Sequence, residues 1–233
     1  MFSRSARIYD AIYASIRDYP REAAQLDELI QARRPAARSL LDVACGTAAH
    51  LEHLVGRYEV EGLDLEPEML AVARERLPEV RFIEADMASF DLGRRFDAVV
   101  CMFSSIGYVR TEKRLRSAIA SMARHLESDG VLIVEPWARP ENWQDGRLAA
   151  VFVDEPELKI ARMNVSASRG TTSIVDFNYL MATPDGIEHF TELHELGLFT
   201  VDQHLAAFSA AGLDAEHDPE GPMGRGLYVA VSR

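Results

Sequence analysis

The stretch LLDVACGTAAH, Leu40–His50, joins an apolar run to a turn made of small residues. The run SLLDVA predicts a short buried β-strand, and a helix is predicted to begin near Ala48. Three kinds of loop fit this stretch: a nucleotide-binding turn, a catalytic cysteine site at Cys45, and a plain strand-to-helix connection. The glycine pattern is incomplete, so the residues around it have to discriminate among the three.

Outward from this stretch, strand patterns alternate with helix patterns. Residues 1–35 are predicted to form two helical segments divided by Pro20, because proline suits a helix start and interrupts a helix interior. After Leu40 the predicted strands are VEGLDL, VRFIEAD, FDAVVCMF and GVLIVEPW, and the helices between them are PEMLAVARERL and RLRSAIASMARHL. This alternation predicts an α/β fold with a doubly wound parallel sheet.

After Trp137 the pattern changes to period two. The segments AVFVDEP, LKIARMNVSAS, TTSIVDFNYLMATP and IEHFTELHELGLF predict an antiparallel sheet of three or four strands. A helix follows, with Thr200 as its N-cap and Gly212 at its C-terminal stop, and LDAEHD and GLYVAVSR predict two last strands. We therefore expect one domain from residues 1–137 and 199–233, with 138–198 as an inserted sheet that faces the substrate or a second copy of the chain.

The net charge and composition of the chain disfavour some classes of binding partner. The 233-residue chain has a net charge of -12, and an acidic surface repels phosphate backbones and anionic lipid. We expect no nucleic-acid partner and no membrane, since there is also no 18-residue apolar run and no signal-peptide pattern at the start. The cysteines Cys45 and Cys101 lie inside apolar stretches, which favours a reducing, cytoplasmic setting.

Two chemistries are disfavoured by what the sequence lacks. His50 and His53 lie three residues apart, but no third ligand is near them in sequence, so no metal site is expected and both are predicted to lie on the helix surface or behind the site. Cys45 has no local histidine that would activate it as a nucleophile.

Three evenly spaced aspartates point to an adenosine site. Asp42, Asp64 and Asp86 are each separated by one strand–helix–strand step, so all three are expected at the carboxyl edge of the sheet. Asp64 is placed to accept both hydroxyls of a ribose, and Gly46 lets the backbone approach a ligand. Asp86 is suited to accept a hydrogen bond from the adenine amine, and Met87 offers an apolar contact to the ring.

The turn itself separates two adenosine-containing ligands. A dinucleotide-binding turn needs G-x-G-x-x-G/A, but the corresponding residues are Ala44, Gly46 and Ala49, so the first glycine is missing. Asp42 would repel a pyrophosphate, whereas a carboxylate is favourable beside an ammonium or sulfonium group. These features favour S-adenosylmethionine (SAM).

Four segments of the chain carry a family resemblance. LLDVACGTAAHLEHL, EGLDLEPEMLAVAR, EADMASFDLGRRFDAVVCMFSSIGYV and GVLIVEPW resemble, in order, the motifs of SAM-dependent methyltransferases with a Rossmann-like fold. The resemblance extends from about Tyr9 through GPMGRGLYVAV, and it is strongest to the bacterial branch that includes N,N-dimethyltransferases of nucleotide-linked deoxyaminosugars. It implies a seven-stranded sheet with the last strand antiparallel.

Two positions depart from that branch. Ala48 stands where the family loop usually carries glycine, and alanine there is compatible with cofactor if its backbone angles are ordinary. The stretch ASIRDY, Ala14–Tyr19, replaces a segment that is rich in glycine and lysine in the sugar dimethyltransferases.

The residues and the resemblance together predict a site. The predicted cofactor contacts are Tyr9, Tyr13, Asp42, Ala44, Gly46, Asp64, Leu65, Met69, Asp86, Met87 and Met102. The resemblance places Tyr108 beside the accepting amine as the residue that orients it. The predicted substrate contacts are Trp137, Asn178, Tyr179 and Arg225, while His194 is predicted to lie at a surface or interface.

The predicted function is methyl transfer from SAM to a small molecule, at an amino nitrogen such as that of an amino sugar. Two alternatives stay open: O-methylation of a small metabolite, and a SAM-binding protein without catalytic activity. The inserted sheet leads us to expect a homodimer, because an added antiparallel sheet needs cover for its second face.

Overall fold

The chain forms two β-sheets in the computed structural model, which describes residues 4–221 and 224–233. The first sheet has seven strands and the second has four. The strands, numbered in chain order, are β1 (Ser39–Val43), β2 (Glu59–Asp64), β3 (Arg81–Glu84), β4 (Phe96–Cys101), β5 (Leu126–Val134), β6 (Leu148–Glu155), β7 (Leu158–Arg169), β8 (Thr172–Thr183), β9 (Gly186–Gly197), β10 (Asp214–Asp218) and β11 (Leu227–Val231).

The seven-stranded sheet has the order β10-β11-β5-β4-β1-β2-β3. Strands β1 to β5 pair in parallel, and β11 runs antiparallel to both of its neighbours. Buried apolar side chains cover both faces of this sheet, as a parallel sheet between two helical layers requires. The predicted Rossmann-like fold with an antiparallel last strand is confirmed.

Five α-helices are described, and most of the predicted ones are confirmed. They are α1 (Tyr9–Tyr13), α2 (Tyr19–Arg33), α3 (Pro67–Arg76), α4 (Glu112–Arg124) and α5 (Val201–Ala210). Thr200 caps α5 through a capping box with Gln203, and Gly212 follows its end with a φ of +80°, as predicted. None of the helices in the described residues is long and apolar enough to cross a membrane.

The helix predicted to begin near Ala48 is wrong. Ala44, Gly46 and Ala48 all have positive φ, at 61°, 56° and 62°, and a right-handed helix cannot include such residues. Only a 3-10 turn, Leu51–His53, follows before β2. Ala48 therefore does not have ordinary backbone angles, and its left-handed conformation costs about 1–2 kcal/mol that glycine would avoid.

The second sheet, in the order β6-β7-β8-β9, is the predicted inserted sheet, and every neighbouring pair is antiparallel. Its inner face packs Val153, Ile160, Tyr179 and Phe190 against the N-terminal helices. Its outer face is open and apolar, and the exposed side chains on it are Leu148, Phe152, Met163, Val165, Leu180, Ile187 and Leu193.

A 3-10 helix, Ser105–Val109, follows β4 of the large sheet and packs against β9 of the inserted sheet. Within it, Gly107 allows a close approach: a Cβ there would lie 2.9 Å from the Trp137 Cβ and 3.1 Å from Leu196 Cδ2. A side chain at this position would push the 3-10 helix away from β9. Residue 107 therefore sets the spacing between the large sheet and the inserted sheet.

Candidate active site

Two clefts meet beside the 3-10 helix Ser105–Val109. The first cleft lies at the carboxyl ends of β1 and β2, where ligands bind in open α/β sheets. The second lies between the large sheet and the inner face of the inserted sheet. Four residues line both clefts: Tyr9, Phe103, Ser105 and Tyr108. Molecules bound in the two clefts would meet at these four side chains, which we call the junction.

Asp64 organises the floor of the first cleft. Its Oδ2 accepts a hydrogen bond from the Gly46 N–H at 2.8 Å, and its Oδ1 accepts one from the Glu66 N–H at 2.9 Å. The carboxylate therefore links the turn after β1 to the start of α3. Gly46 has a positive φ of 56°, and a Cβ there would lie 3.3 Å from Met69 Cε, so a larger residue would be strained and would crowd a side chain that lines the cleft.

Asp42 lies deeper and is only 2% exposed. Burial, with the neighbouring carboxylate of Asp64, raises the pKa of Asp42 to about 8. Burial raises the pKa of Asp64 as well. Without a ligand, Asp42 is therefore mostly protonated at neutral pH, and a cation placed beside it would favour the ionised form.

Asp86 already has a partner. Arg114 Nη2 donates to both of its oxygens, at 2.9 Å to Oδ1 and 2.7 Å to Oδ2, and the Ala88 N–H also donates to Oδ1. Partial burial opposes ionisation, but these bonds dominate and lower the pKa of Asp86. An adenine amine would have to share this carboxylate with Arg114, which also lines the first cleft.

The structure brings most of the predicted cofactor residues together. Those that line the first cleft are Tyr9, Asp42, Ala44, Gly46, Asp64, Leu65, Met69, Asp86, Met87 and Met102. Tyr13 is not among them: it lines the second cleft, and its hydroxyl accepts a hydrogen bond from Arg162 at 3.0 Å. The donor set fits an adenosyl ligand with a charged amino-acid tail, since carboxylates are placed for ribose and ammonium groups and apolar side chains for the ring.

The predicted substrate residues divide into two groups. Trp137 and Arg225 line the second cleft, and the Arg225 guanidinium lies 4.6 Å from the centre of the Trp137 ring. Asn178 and Tyr179 line neither cleft. Asn178 is exposed on the outer face of the inserted sheet, opposite Met163, and Tyr179 is buried against Phe190, with ring centres 4.5 Å apart.

The second cleft is positively charged. Its described lining includes four arginines, Arg139, Arg147, Arg162 and Arg225, and no aspartate or glutamate. The chain as a whole carries 37 acidic residues against 25 basic ones, so this lining departs strongly from the average surface. Such a cleft attracts an anion, and arginine is the side chain best suited to bind phosphate oxygens in pairs.

Sequence reasoning missed several residues at this site. Tyr19 lines the first cleft, and its buried hydroxyl has no hydrogen-bond partner among the described residues. His50, predicted on a helix surface or behind the site, is buried, lines the first cleft and has its Nε2 2.8 Å from Glu22 Oε2. Tyr19 is the last residue of the ASIRDY stretch, which departs from the family pattern, so its place in the chain could have suggested a role at this site. His194, predicted at a surface or interface, is buried and lies within hydrogen-bond distance of Tyr108.

No metal site is evident in the described ranges 4–221 and 224–233, where His, Cys, Asp and Glu side chains do not gather in groups of three. The two cysteines are buried and unpaired, and burial raises the pKa of both thiols, which disfavours a thiolate nucleophile.

Known proteins with the same arrangement are methyltransferases. Residues 40–130 match the family described as methyltransferase domain. The chain is 45% identical over 229 residues to the dTDP-3-amino-3,6-dideoxy-alpha-D-glucopyranose N,N-dimethyltransferase of Streptomyces fradiae, with 97% of this chain and 90% of the relative covered. It is 44% identical to the dTDP-3-amino-3,4,6-trideoxy-alpha-D-glucopyranose N,N-dimethyltransferase of Streptomyces venezuelae, with 97% of each covered.

Two similar solved structures support the same family assignment. The chain superposes on Streptomyces venezuelae DesVI with a TM-score of 0.94, at 43% identity and with 98% of both chains covered. It superposes on SAM-bound CalS10, an amino pentose methyltransferase from Micromonospora echinaspora, with a TM-score of 0.89, at 41% identity and with 97% of both chains covered. The predicted family and cofactor are confirmed. The chain belongs to the family of SAM-dependent methyltransferases that includes the dTDP-aminosugar N,N-dimethyltransferases.

Proposed function

We propose that the chain methylates, twice, the amino nitrogen of an amino sugar carried on a nucleoside diphosphate. The observation that carries this proposal is the cationic second cleft, which meets the first cleft at Tyr108. A neutral metabolite gains little from an arginine-lined cleft, whereas the phosphate oxygens of a pyrophosphate are well suited to bind arginines. The printed activities of the relatives from Streptomyces fradiae and Streptomyces venezuelae support the same acceptor class.

The first cleft offers each part of SAM a suitable neighbour. In this proposal Asp64 holds the ribose hydroxyls, Asp42 faces the ammonium group, and Leu65 and Met87 contact the adenine ring. When bound, SAM supplies a methyl group made electrophilic by its sulfonium. Tyr9, which also lines the second cleft, lies where an aromatic ring can face this cation.

The second cleft offers two kinds of contact for a nucleotide. In this proposal Arg139, Arg147 and Arg225, which line the cleft, bind the pyrophosphate. Trp137 and Trp143 have ring centres 5.9 Å apart, and both line the cleft, so they provide an aromatic wall for the base. The sugar would then lie between the arginines and the junction, with its amine toward Tyr108.

The junction favours nitrogen over oxygen as the acceptor. A hydroxyl must lose its proton to become a good nucleophile, which calls for a nearby base, whereas a neutral amine attacks without one. None of the four residues described as lining both clefts is a carboxylate. Burial lowers the pKa of nearby His194 to about 3, so this histidine is a weak base.

We also propose that the enzyme is cytoplasmic and forms a homodimer. Both cysteines are free and buried, which suits a reducing compartment. The outer face of the inserted sheet carries exposed apolar side chains on all four strands, interspersed with polar ones such as Asn178, and Phe152 among them is 68% exposed. A second copy placing the same face against it would cover both surfaces at once.

Methyl transfer with Arg147→Ala tests the function. With purified SAM, wild-type protein should convert a dTDP-linked amino sugar, such as dTDP-3-amino-3,6-dideoxyglucose, to its dimethylated form. Mass spectrometry measures this product. Arg147→Ala should raise the KM for this sugar roughly 10-fold or more by removing a charge-assisted bond, with the SAM Kd unchanged. The matched control is Arg169→Ala, an exposed arginine outside both clefts. SAM binding without transfer to any nucleotide-linked amino sugar would instead favour a non-catalytic SAM-binding protein.

Asp64→Asn tests the ribose assignment. The change keeps the shape of the side chain but removes the charge and one acceptor, so the Kd for SAM should rise roughly 10- to 100-fold by calorimetry. Asp97→Asn is a matched control, because Asp97 also accepts hydrogen bonds from backbone N–H groups, those of Arg38 and Ser39, but lies outside the first cleft. Equal SAM affinity in Asp64→Asn and wild type would remove Asp64 from the cofactor site.

The raised pKa of Asp42 predicts a pH-dependent affinity for SAM. The unliganded carboxyl, with its pKa of about 8, must lose its proton to face the ammonium group, so the affinity should rise as pH increases from 6 to 8. The slope can reach about tenfold per pH unit and should level off above pH 8. Calorimetry in two buffers of different ionisation enthalpy measures the released proton. Asp42→Asn should lose this slope, and an identical pH profile in wild type and Asp42→Asn contradicts the assignment.

Phe152→Asp tests the homodimer. A charge on the outer face cannot be buried against a second copy without a partner, so light scattering should show a dimer for wild type and a monomer for this variant. Val55→Asp is the control, because Val55 is an exposed apolar residue away from the inserted sheet. A monomeric wild type at micromolar concentration would refute the dimer.

A further inference from the structure

Tyr108 and His194 form a pair at the junction. The Tyr108 hydroxyl oxygen lies 2.8 Å from His194 Nδ1, although 86 residues separate the two in sequence. Tyr108 comes from the 3-10 helix Ser105–Val109, and His194 comes from the inner face of β9. His194 is 1% exposed, lines the second cleft and is packed edge-on against Phe177, with ring centres 5.0 Å apart.

The backbone next to Tyr108 packs closely against β9. Gly107 lets the 3-10 helix rest directly against Leu196 on β9, two residues from His194. The backbone segments that carry the two side chains are therefore held close together. A pair held in this way is suited to set the direction of a hydrogen bond rather than to adapt to its ligand.

The chemistry of the pair decides which residue donates. Burial, with the positive charge of Arg162, holds the pKa of His194 near 3, so the imidazole is neutral in the physiological range. A neutral imidazole has one nitrogen that accepts, and a phenol hydroxyl is a stronger donor than an imidazole N–H. The favoured arrangement has the Tyr108 O–H donating to His194 Nδ1.

We propose that His194 is a positioning residue that holds the Tyr108 hydroxyl proton, so that the tyrosine oxygen faces the acceptor amine only as a hydrogen-bond acceptor. This inference rests on the proposed function. A free tyrosine hydroxyl would donate to the lone pair of the amine, and that lone pair is the nucleophile. With its proton engaged by His194, Tyr108 instead accepts an amine N–H and leaves the lone pair free to attack.

The same arrangement serves both methyl transfers. In each, the amine nitrogen forms a bond to the methyl carbon while the carbon–sulfur bond breaks, and that electron pair stays on sulfur. The resulting ammonium has at least one N–H for the Tyr108 oxygen, and its proton then passes to water. After the second transfer and loss of this proton, the tertiary amine has no N–H left, so its contact with Tyr108 is lost.

A double-mutant cycle on turnover tests the proposal. His194→Phe frees the tyrosine proton to block the amine, so kcat should fall about 3- to 10-fold, the range of one neutral hydrogen bond, with the SAM Kd and the KM for the nucleotide-linked sugar changed less than about twofold. Tyr108→Phe removes the blocking hydroxyl, so the double variant should be at least as fast as His194→Phe alone. His194→Asn, which keeps an acceptor oxygen, should restore most of the lost kcat.

Other outcomes overturn the proposal. If the two single effects multiply in the double variant, or if His194→Phe leaves kcat unchanged, His194 does not act through the tyrosine hydroxyl. SAM calorimetry on each variant shows that it is folded. Nitrogen-15 NMR of wild-type protein with SAM gives a readout that does not depend on turnover: the proton of His194 should lie on Nε2, and Tyr108→Phe should shift this tautomer.

The NMR measurement also separates two failures. If no nucleotide-linked amino sugar is methylated by wild type, the proposed function fails. If the proton of His194 is found on Nδ1, the positioning proposal fails, whichever acceptor the enzyme uses.

Discussion

One buried arginine, Arg17, links the elements that surround both clefts. The Arg17 side chain is fully buried, its guanidinium pairs with Glu22 and lies 3.4 Å from Glu135, and it stacks 4.2 Å from the centre of the Phe103 ring. Burial opposes the charge on Arg17, but the two carboxylates outweigh it and raise its pKa. Removal of one member would leave uncompensated buried charge, which typically costs 3–5 kcal/mol. The cluster therefore holds the start of α2 against the end of β5.

This cluster also explains a strained turn next to it. Phe103 and Ser104 have φ of 52° and 62°, conformations that each cost a non-glycine residue about 1–2 kcal/mol. The strain persists because the Phe103 N–H donates to Glu135 Oε2 at 2.7 Å and the Ser104 hydroxyl donates to the Pro136 carbonyl at 2.8 Å. The turn directs the following 3-10 helix, and with it Tyr108, toward the junction. Thus the charge that anchors the helical cover also positions the residue predicted to orient the acceptor.

The sequence predicted what local pattern controls and missed what depends on distant contacts. Both sheets, the antiparallel last strand and the cap at Thr200 follow from periodicity, turn residues and family motifs, and the regular spacing placed Asp64 correctly at the edge of the sheet. Asn178 failed to reach a cleft because side chains alternate along a strand, and the face that is buried depends on packing against the N-terminal helices. Ala48 shows a different limit: the family's glycine at this position hinted at positive φ, but the alanine by itself gives no local signal that it adopts it.

The distribution of charge gives the two clefts opposite preferences. Asp42 and Asp64 line the first cleft and four arginines line the second, while three of the four side chains at the junction between them are aromatic. In the proposed reaction the positive charge leaves sulfur, on the acidic side, and appears on nitrogen, on the arginine side. Electrostatics therefore favour binding of both substrates and disfavour keeping the ammonium product charged. Release of its proton to water through the second cleft relieves this repulsion, and it also returns the nitrogen to the neutral state that a second transfer needs.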